Sequence, residues 1–336
     1  MMLRVAINGF GRIGRNVFKI SLDREKDFEI AAINDLTSPR ELAHLLKYDS
    51  CYGVYGREVS STDHSIIVDG REIEVLSESD PEKLPWKEMK VDLVVESTGR
   101  FASREGAEKH LRAGARKVVI GAPAYDADAM IVVGANQEIY DPAAHNIISM
   151  ASCTTNCMSL FARLIDEQYG IERGVFTTVH AYTNDQNLLD KPHKDFRRAR
   201  AAAVSMIPTS SGAAKALGVV LPHLKGKLTG SAVRVPVSAV SLTDVVFDIK
   251  KAVTVEEVNE MLKEQAAGPM KGFMGYSEEP LVSIDYKGEE NTCVIDALST
   301  LVIDGTMLRV VAWYDNEWGY SGRICDLVNI IAEKEK

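Results

Sequence analysis

Short apolar, β-rich runs alternate with helical patterns through the first half of the chain, and this alternation constrains the fold more than any other feature. The runs cover residues 3–8, 28–34, 91–97, 117–120, 130–133 and 146–149. The clearest helical pattern begins with the capping box Ser38-Pro39-Arg40-Glu41. Such alternation predicts βαβ units and an α/β fold with a doubly wound, parallel Rossmann sheet.

The second half has a different residue pattern, in which longer predicted strands alternate apolar and polar residues. These strands are predicted at residues 174–182, 231–240, 243–250, 293–297 and 308–314. They indicate an α+β domain whose mixed or antiparallel sheet has one face covered by helices. Because 336 residues exceed the usual size of a single core, we expect two domains. The expected boundaries are 1–151 and 152–316, with an amphipathic helix in 317–336 that returns to the first domain.

A glycine motif, Gly9-Phe10-Gly11-Arg12-Ile13-Gly14, directly follows the first strand and opens a helix. In a dinucleotide-binding fold the first glycine makes a tight turn, the second admits the pyrophosphate, and the third allows close packing. Asp35 ends the next strand, where a carboxylate can accept both ribose hydroxyls and repels a 2′-phosphate. Ser97 and Thr98 are predicted at the same carboxyl edge of the sheet. The motif therefore predicts NAD in preference to NADP.

A thiol stands at the predicted start of a helix in the second domain. Residues 158–168 repeat apolar side chains at helical spacing, so Ser152 is the predicted N-cap and Cys153 lies in the first turn. Unpaired backbone N–H groups and the positive end of the helix dipole favour a thiolate there. Cys157, one turn deeper, is predicted to be core packing. A lone cysteine is more often a small buried hydrophobe, so a reactive Cys153 requires a partner.

Two polar residues in apolar strands are the candidate partners. His180 ends a strand 27 residues after Cys153 and is the candidate base, the alternative being a satisfied core histidine. Arg234 lies between two valines, where an unpaired charge is costly. A buried ion pair or a bound phosphate or carboxylate would satisfy it, and the hydroxyl-rich run 208–212 could supply further donors. The basic loop 190–200 is expected to be solvated or to lie in an interface.

Composition excludes several classes of protein. With 48 acidic and 39 basic residues the net charge is −9, which argues against a dedicated nucleic-acid partner. Five cysteines at irregular spacings fit neither a disulfide framework nor a zinc site, so no metal is expected. No run is long enough to span a bilayer, and no signal peptide is evident. These features predict a cytoplasmic protein without a membrane partner.

Five segments together resemble the phosphorylating glyceraldehyde-3-phosphate dehydrogenases over essentially the whole chain. They are residues 6–14, 44–50, 151–157, 180–183 and 313–320. The resemblance implies oxidation of glyceraldehyde 3-phosphate, with NAD and inorganic phosphate, to 1,3-bisphosphoglycerate. It also implies a homotetramer that serves glycolysis or gluconeogenesis.

The resemblance further implies roles for individual residues. Cys153 would be the nucleophile, passing through a hemithioacetal and a thioester, and His180 would be its base. The residues that would hold the cofactor are Gly9, Gly11, Arg12, Ile13, Gly14, Asp35, Ser97, Thr98 and, at the nicotinamide carboxamide, Asn316. Inorganic phosphate would lie among Ser152, Thr154, Ser211 and Gly212, and the substrate phosphate among Thr183, Asp185 and Arg234.

Three positions depart from the family pattern. Met150 replaces a usual asparagine, Gly121 a usual serine, and Lys191 a frequent leucine near the adenine ribose. Because the Lys191 cation could attract a 2′-phosphate, we expect the protein to accept NADP as a second cofactor, more weakly than NAD. Two alternative functions stay open: an erythrose-4-phosphate dehydrogenase, which releases the acyl group to water, and a non-catalytic dinucleotide- or RNA-binding scaffold. The segments 180–183 and 211–215 favour the phosphorylating enzyme.

Overall fold

The computed structural model describes residues 2–24 and 27–335. Residues 1, 25, 26 and 336, which belong to the expected first domain and C-terminal segment, lie outside this part. The chain divides into two compact units. One comprises Met1–Ile131, Gln137–Ala151 and Ser321–Lys336, and the other comprises Val132–Asn136 and Ser152–Tyr320.

A mostly parallel sheet forms the centre of the first unit. The strands of this unit are β1 (Leu3–Asn8), β2 (Phe28–Asn34), β3 (Tyr48–Asp49), β4 (Gly53–Val54), β5 (Val59–Ser61), β6 (Ser65–Val68), β7 (Arg71–Leu76), β8 (Leu93–Glu96), β9 (Lys117–Ile120), β10 (Ala129–Met130) and β11 (Ile147–Ser149). The sheet order is β10-β11-β9-β8-β1-β2-β7-β6-β5, while β3 and β4 form a separate hairpin. All neighbours from β10 to β7 are parallel. The predicted Rossmann sheet is therefore confirmed.

Only the far edge of this sheet is antiparallel, where β7, β6 and β5 pair in turn. The sequence did not predict this edge because its strands are short and mixed in polarity. The helices of the first unit are α1 (Arg12–Asp23), α2 (Pro39–Lys47) and α3 (Arg104–Arg112). Helix α2 begins with the predicted capping box, in which Ser38 and Glu41 each bond the other's backbone N–H.

The second unit is built on a mixed sheet, as predicted. Its elements are α4 (Cys153–Tyr169), β12 (Ile171–Ala181), β13 (Ile207–Ser210), α5 (Ala213–Val220), β14 (Leu228–Val235), β15 (Ser241–Ile249), α6 (Val255–Ala267), β16 (Met274–Ser277), β17 (Cys293–Asp296), β18 (Leu301–Ile303) and β19 (Met307–Tyr314). The order is β13-β14-β12-β15-β19-β17-β16, with β18 also paired to β19. The strand predicted through residue 240 ends at Val235, because Pro236 has no N–H to continue the ladder.

The last helix, α7 (Trp318–Lys334), extends the predicted pattern at both ends. Its apolar residues at helical spacing are buried: Ile324, Leu327, Val328 and Ile331. No helix in residues 2–24 and 27–335 combines the length and apolar character needed to cross a membrane.

Strand register places polar residues next to one another in each unit. In the first, Asn8 ends β1 opposite Asn34 of β2 and Glu96 of β8. In the second, β12 and β14 run parallel with His180 directly opposite Arg234. Because carboxyl ends of parallel strands share one edge, both rows lie where ligands bind in such sheets.

Candidate active site

The glycine loop has two crowded positions and one open one. Gly9 has φ +92°, and a Cβ there would lie 2.7 Å from the backbone nitrogen of Thr98. A Cβ at Gly14 would lie 2.1 Å from the carbonyl oxygen of Gly9. A Cβ at Gly11, the N-cap of α1, would meet nothing within 4 Å. A side chain at the first or third glycine would overlap neighbouring protein atoms. At the second glycine the backbone is open to a ligand.

Asp35 is held by the loops on either side of it. Its Oδ2 accepts the backbone N–H of Phe10 at 2.8 Å, and its Oδ1 accepts that of Thr37 at 2.9 Å. Each carboxylate oxygen has a second lone pair, so this fixed group can still accept ribose hydroxyls. Asp35, Gly9 and Gly11 line one cavity at the carboxyl edge of the sheet.

The other predicted cofactor residues of this unit hold the loop rather than point into open space. Ser97 Oγ donates to the carbonyl oxygen of Gly9 at 2.7 Å, and the Thr98 hydroxyl donates to Glu96. Both residues line the same cavity as Asp35. The Arg12 side chain pairs with Asp49 at 2.9 Å, so what Arg12 and the half-buried Ile13 offer a ligand is backbone N–H at the start of α1.

Of the family departures, Gly121 is in a closely packed position. A Cβ there would lie 3.3 Å from the Glu96 carbonyl oxygen and 3.6 Å from Cδ1 of Ile324. Met150 is fully buried, whereas Lys191 is exposed and its backbone N–H bonds the Ala199 carbonyl.

Cys153 is the first residue of α4, as predicted. Ser152 is the N-cap, and its Oγ accepts the Thr155 N–H at 3.2 Å. The preceding Ala151 has φ +54°, a left-handed conformation that is uncommon for residues other than glycine. Cys153 Sγ lies 3.4 Å from Nε2 of His180, so the sequence-predicted thiol and base are in contact.

Arg234 contacts the other side of the His180 ring. Its Nη1 lies 2.7 Å from His180 Nδ1 and 3.0 Å from the Ala181 carbonyl oxygen. Since a guanidinium only donates, Nδ1 accepts in this arrangement and Nε2 carries the proton. Nδ1 also lies 2.7 Å from the same carbonyl, so the other tautomer would bond there and leave Nε2 free to take the thiol proton. In that second tautomer Nδ1–H would face the Arg234 Nη1 donor 2.7 Å away, so Arg234 would have to turn from the ring.

The pKa shifts of both groups follow from burial and from Arg234. Burial and the adjacent Arg234 charge lower the pKa of His180 to about 3. Burial raises the pKa of the Cys153 thiol, although Arg234 and the Thr154 N–H act in the opposite direction. Cys153 is only half-buried by its solvent exposure, but the residues packed around it withdraw its sulfur from water, an effect that the helical pattern does not reveal. Both shifts favour an uncharged thiol and an uncharged imidazole at rest.

Arg234 lacks the carboxylate partner of an ordinary buried ion pair. Among the described residues no carboxylate lies within ion-pair distance of it, and its buried Nε has no hydrogen-bond partner. A second cation, Arg198, lowers the pKa of both His180 and Arg234 through its charge. Two neighbouring guanidiniums, one with an unused buried donor, favour a bound anion over an ion pair as the explanation of Arg234.

The structure places the remaining predicted phosphate residues on three segments. Asp185 pairs with Arg198, which also donates to Thr209 Oγ1 at 2.9 Å. Thr183 is half-buried in the turn after β12. Ser211 accepts the Ala213 N–H, and Gly212 is the N-cap of α5. The sequence predicts a solvated or interface loop around Arg198, and the local signal for its role is the hydroxyl-rich run that contains its partner Thr209.

Tyr314 is a site residue that sequence reasoning missed. Its buried hydroxyl shares hydrogen bonds with the hydroxyls of Thr154 and Thr178, each at 2.8 Å. Its ring packs edge-on against His180, with centroids 6.0 Å apart. The hydrogen bond to Tyr314 thereby fixes the position of the Thr154 side chain.

Asn316 is oriented by Ser241. The Ser241 hydroxyl accepts the Ala181 N–H and donates to Asn316 Oδ1, both at 3.1 Å. The amide nitrogen of Asn316 is therefore the end available to a ligand carbonyl. Val240, immediately before Ser241, has φ +70°, an outlier for a β-branched residue and a sign of local strain.

The first unit carries a glycine loop with a fixed acid, and the second carries a cysteine–histidine pair in contact; these features fit a dinucleotide-dependent dehydrogenase. No cluster of three or more potential metal ligands occurs within the described ranges. Residues 3–104 match the model of the glyceraldehyde 3-phosphate dehydrogenase NAD binding domain, and residues 152–316 match that of the C-terminal domain.

Relatives match over the full chain. The chain is 60% identical to a glyceraldehyde-3-phosphate dehydrogenase of Geobacillus stearothermophilus over 99% of both chains. It is 57% identical to glyceraldehyde-3-phosphate dehydrogenase 1 of Bacillus cereus, again over 99% of both. The protein belongs to the glyceraldehyde-3-phosphate dehydrogenase family, and its cofactor is NAD.

The open side of Gly11 can be tested by adding a methyl group there. We expect Gly11→Ala to raise the Kd for NAD at least about tenfold, a difference of about 1.4 kcal/mol, because the Cβ would occupy space near the pyrophosphate. The Tm should change by no more than about 2–4 °C, since the Cβ meets no protein atom. Gly56→Ala, at an exposed and equally open glycine, is the matched control. An unchanged Kd would mean that the ligand does not approach this backbone.

The dependence of the thiol on His180 can be tested by alkylation. We expect His180→Asn to shift the pH profile of Cys153 alkylation by iodoacetamide to higher pH and to slow turnover by about 10²–10⁴, because the proton acceptor is lost. His223→Asn, a half-exposed histidine of the same unit, should change neither. The same alkylation profile in His180→Asn as in wild type would show that the helix start alone activates the thiol.

Proposed function

We propose that this protein catalyses the reversible oxidation of glyceraldehyde 3-phosphate to 1,3-bisphosphoglycerate, with reduction of NAD and uptake of inorganic phosphate. The observation that carries the proposal is the contact of Cys153 Sγ with His180 Nε2 at 3.4 Å, beside an Arg234 whose buried Nε has no partner. We assign NAD binding to residues 1–151, catalysis to 152–316, and a helix returning to the first domain to 317–336.

In the first step His180 takes the thiol proton as Cys153 attacks the aldehyde carbon. The new oxyanion lies near the first turn of α4, whose backbone N–H groups can stabilise it. His180 returns that proton to the oxyanion, and the hemithioacetal hydroxyl so formed gives it back to His180 as the carbon is oxidised to the thioester. One imidazole thus serves every proton transfer, which fits its contact with the sulfur and its uncharged resting form.

NAD would supply the hydride acceptor for this oxidation. The residues that would hold it fit the group: the open backbone of Gly11 would lie against the pyrophosphate, and Asp35 would accept the ribose hydroxyls. The Asn316 amide nitrogen, freed by the bond of Ser241 to Oδ1, can donate to the nicotinamide carboxamide.

Two anion sites are needed, one for the substrate phosphate and one for inorganic phosphate. We place the substrate phosphate at Arg234, with Thr183 and Asp185 nearby, and Arg198 as a second cation. We place inorganic phosphate at the starts of α4 and α5, where Ser152, Thr154, Ser211 and Gly212 offer hydroxyls and backbone N–H groups. A phosphate held there attacks the thioester carbon and displaces the sulfur of Cys153, which takes back the proton held by His180. This step distinguishes the enzyme from one that releases the acyl group to water.

NADP is proposed as a weaker second cofactor. Asp35 has fixed geometry, and Glu78 lines the same cavity, so two acidic residues border the cavity in which a 2′-phosphate would lie. Lys191 is an exposed cation whose attraction is screened and is worth about 1 kcal/mol or less. Repulsion of the 2′-phosphate by these acidic residues should outweigh its attraction to Lys191, so NAD should be preferred to NADP.

We further propose a cytoplasmic homotetramer. Large apolar side chains of the loop after β12 are at least 75% exposed in the single chain: Leu188, Leu189, Phe196, Val204 and Met206. A concentration of exposed apolar residues on one loop is typical of a protein interface. Self-association through this loop would cover them.

The substrate assay tests the function directly. NAD reduction should require both glyceraldehyde 3-phosphate and inorganic phosphate, and it should be faster than with NADP or with erythrose 4-phosphate. Arg234→Leu should raise the KM for the phosphorylated aldehyde about tenfold or more, because it removes a charged donor, and should change the KM for NAD far less.

Several results would count against this proposal. Phosphate-independent turnover would favour release to water, and a higher kcat/KM with NADP would make Lys191 the stronger determinant. Equal KM effects of Arg234→Leu on both substrates would make Arg234 a structural residue.

A further inference from the structure

A row of buried polar residues underlies the cavity of the first unit. Asn34, Asn8 and Glu96 end the neighbouring strands β2, β1 and β8 in register, and all three side chains are buried. His110 of α3, fully buried, continues the row beyond Glu96. Nothing in the reaction proposed above uses this row.

Glu96 is the centre of the row and acts only as an acceptor. Its Oε1 accepts the backbone N–H of Thr98 at 2.8 Å and also the Thr98 hydroxyl. Its Oε2 accepts Asn8 Nδ2 at 2.5 Å and lies 3.2 Å from His110 Nε2. Four hydrogen bonds therefore converge on one carboxylate that is only 1% exposed.

The tautomer of His110 is fixed by Trp86. The indole Nε1, which can only donate, lies 3.0 Å from His110 Nδ1, so Nδ1 is the acceptor and Nε2 carries the proton. Nε2 then donates to Glu96, and His110 remains uncharged. The donors to Glu96 are thus all neutral groups with fixed directions, which makes the carboxylate an anchor rather than half of an ordinary ion pair.

The row reaches two loops that border the cavity. Through Glu96 it holds Thr98, whose hydroxyl also accepts the Arg100 N–H at 3.0 Å. Through Asn8 it holds Asn34, which donates to Asn8 Oδ1 at 2.7 Å. Asn34 in turn accepts the Glu78 N–H at 2.9 Å and donates to the Glu78 carbonyl at 3.0 Å. Glu78 and Thr98 both line the cavity that contains Asp35.

We propose that Glu96 is a positioning residue for NAD: from beneath the sheet edge it fixes the loops at Thr98 and Glu78 around the adenosine half of the cofactor. The proposal rests on NAD binding by the first unit. Glu96 itself does not touch the cofactor. A neutral amide at this position would turn one acceptor atom into a donor facing another donor, and the loop at Thr98 or the Asn8 link would lose its anchor.

The test is NAD affinity of the full-length protein with isosteric substitutions. We expect Glu96→Gln to raise the Kd for NAD about tenfold, the effect of losing one hydrogen bond to a charged group, and to raise the KM for NAD by more than it lowers kcat. Glu29→Gln, at a partly buried and ion-paired carboxylate of the same sheet, is the control and should leave this Kd unchanged. A wild-type Kd in Glu96→Gln would overturn the proposal.

A double-mutant cycle separates positioning from a direct role of Thr98. If Glu96 acts through the Thr98 hydroxyl, Thr98→Val should also raise the Kd, and Glu96→Gln/Thr98→Val should bind no more weakly than the weaker single variant. If the Kd increases of the two single variants instead multiply in the double variant, Glu96 and Thr98 contribute independently, which would contradict the proposal. If Glu96→Gln does not fold, Thr98→Val alone decides, and an unchanged Kd refutes it. Failure of the wild type to bind NAD would instead refute the proposed function.

Discussion

The parallel pairing of β12 with β14 is the constraint on which the active site depends. It sets His180 opposite Arg234, so that a guanidinium and an imidazole meet at one edge of the sheet. The start of α4 brings the Cys153 thiol to the other ring nitrogen of His180. A one-residue slip of β14 would turn Arg234 to the opposite face of the sheet and separate it from His180 and Cys153.

Burial controls the charge states of the thiol and the imidazole. Removal from water disfavours both the thiolate and the imidazolium, so neither charge is stable until a substrate accepts the electron pair of the sulfur. Arg234 adds a positive charge that a bound phosphate would neutralise. The bonds of Tyr314 and Ser241, together with the strained backbone at Ala151 and Val240, hold the surrounding groups in place without themselves entering the reaction.

Features encoded locally could be predicted from the sequence, and features that depend on tertiary contacts could not. The glycine turn, the capping box at Ser38 and the N-cap at Ser152 each follow from a few consecutive residues, and the structure contains them. The contact of Arg234 with His180 joins residues 54 positions apart, and the row through Glu96 and His110 joins three strands and a helix. Burial of Cys153, and with it the sign of its pKa shift, likewise depends on the assembled unit.

In the proposed reaction the acyl group is carried on Cys153. The most direct test of this claim is mass spectrometry of the full-length protein, quenched in acid after mixing with NAD and glyceraldehyde 3-phosphate without inorganic phosphate. One phosphoglyceroyl group should be found on the peptide that contains Cys153, and it should disappear when inorganic phosphate is added before the quench. Reduction of NAD at the wild-type rate with no adduct at Cys153, or with the same rate in Cys153→Ser, would contradict the claim.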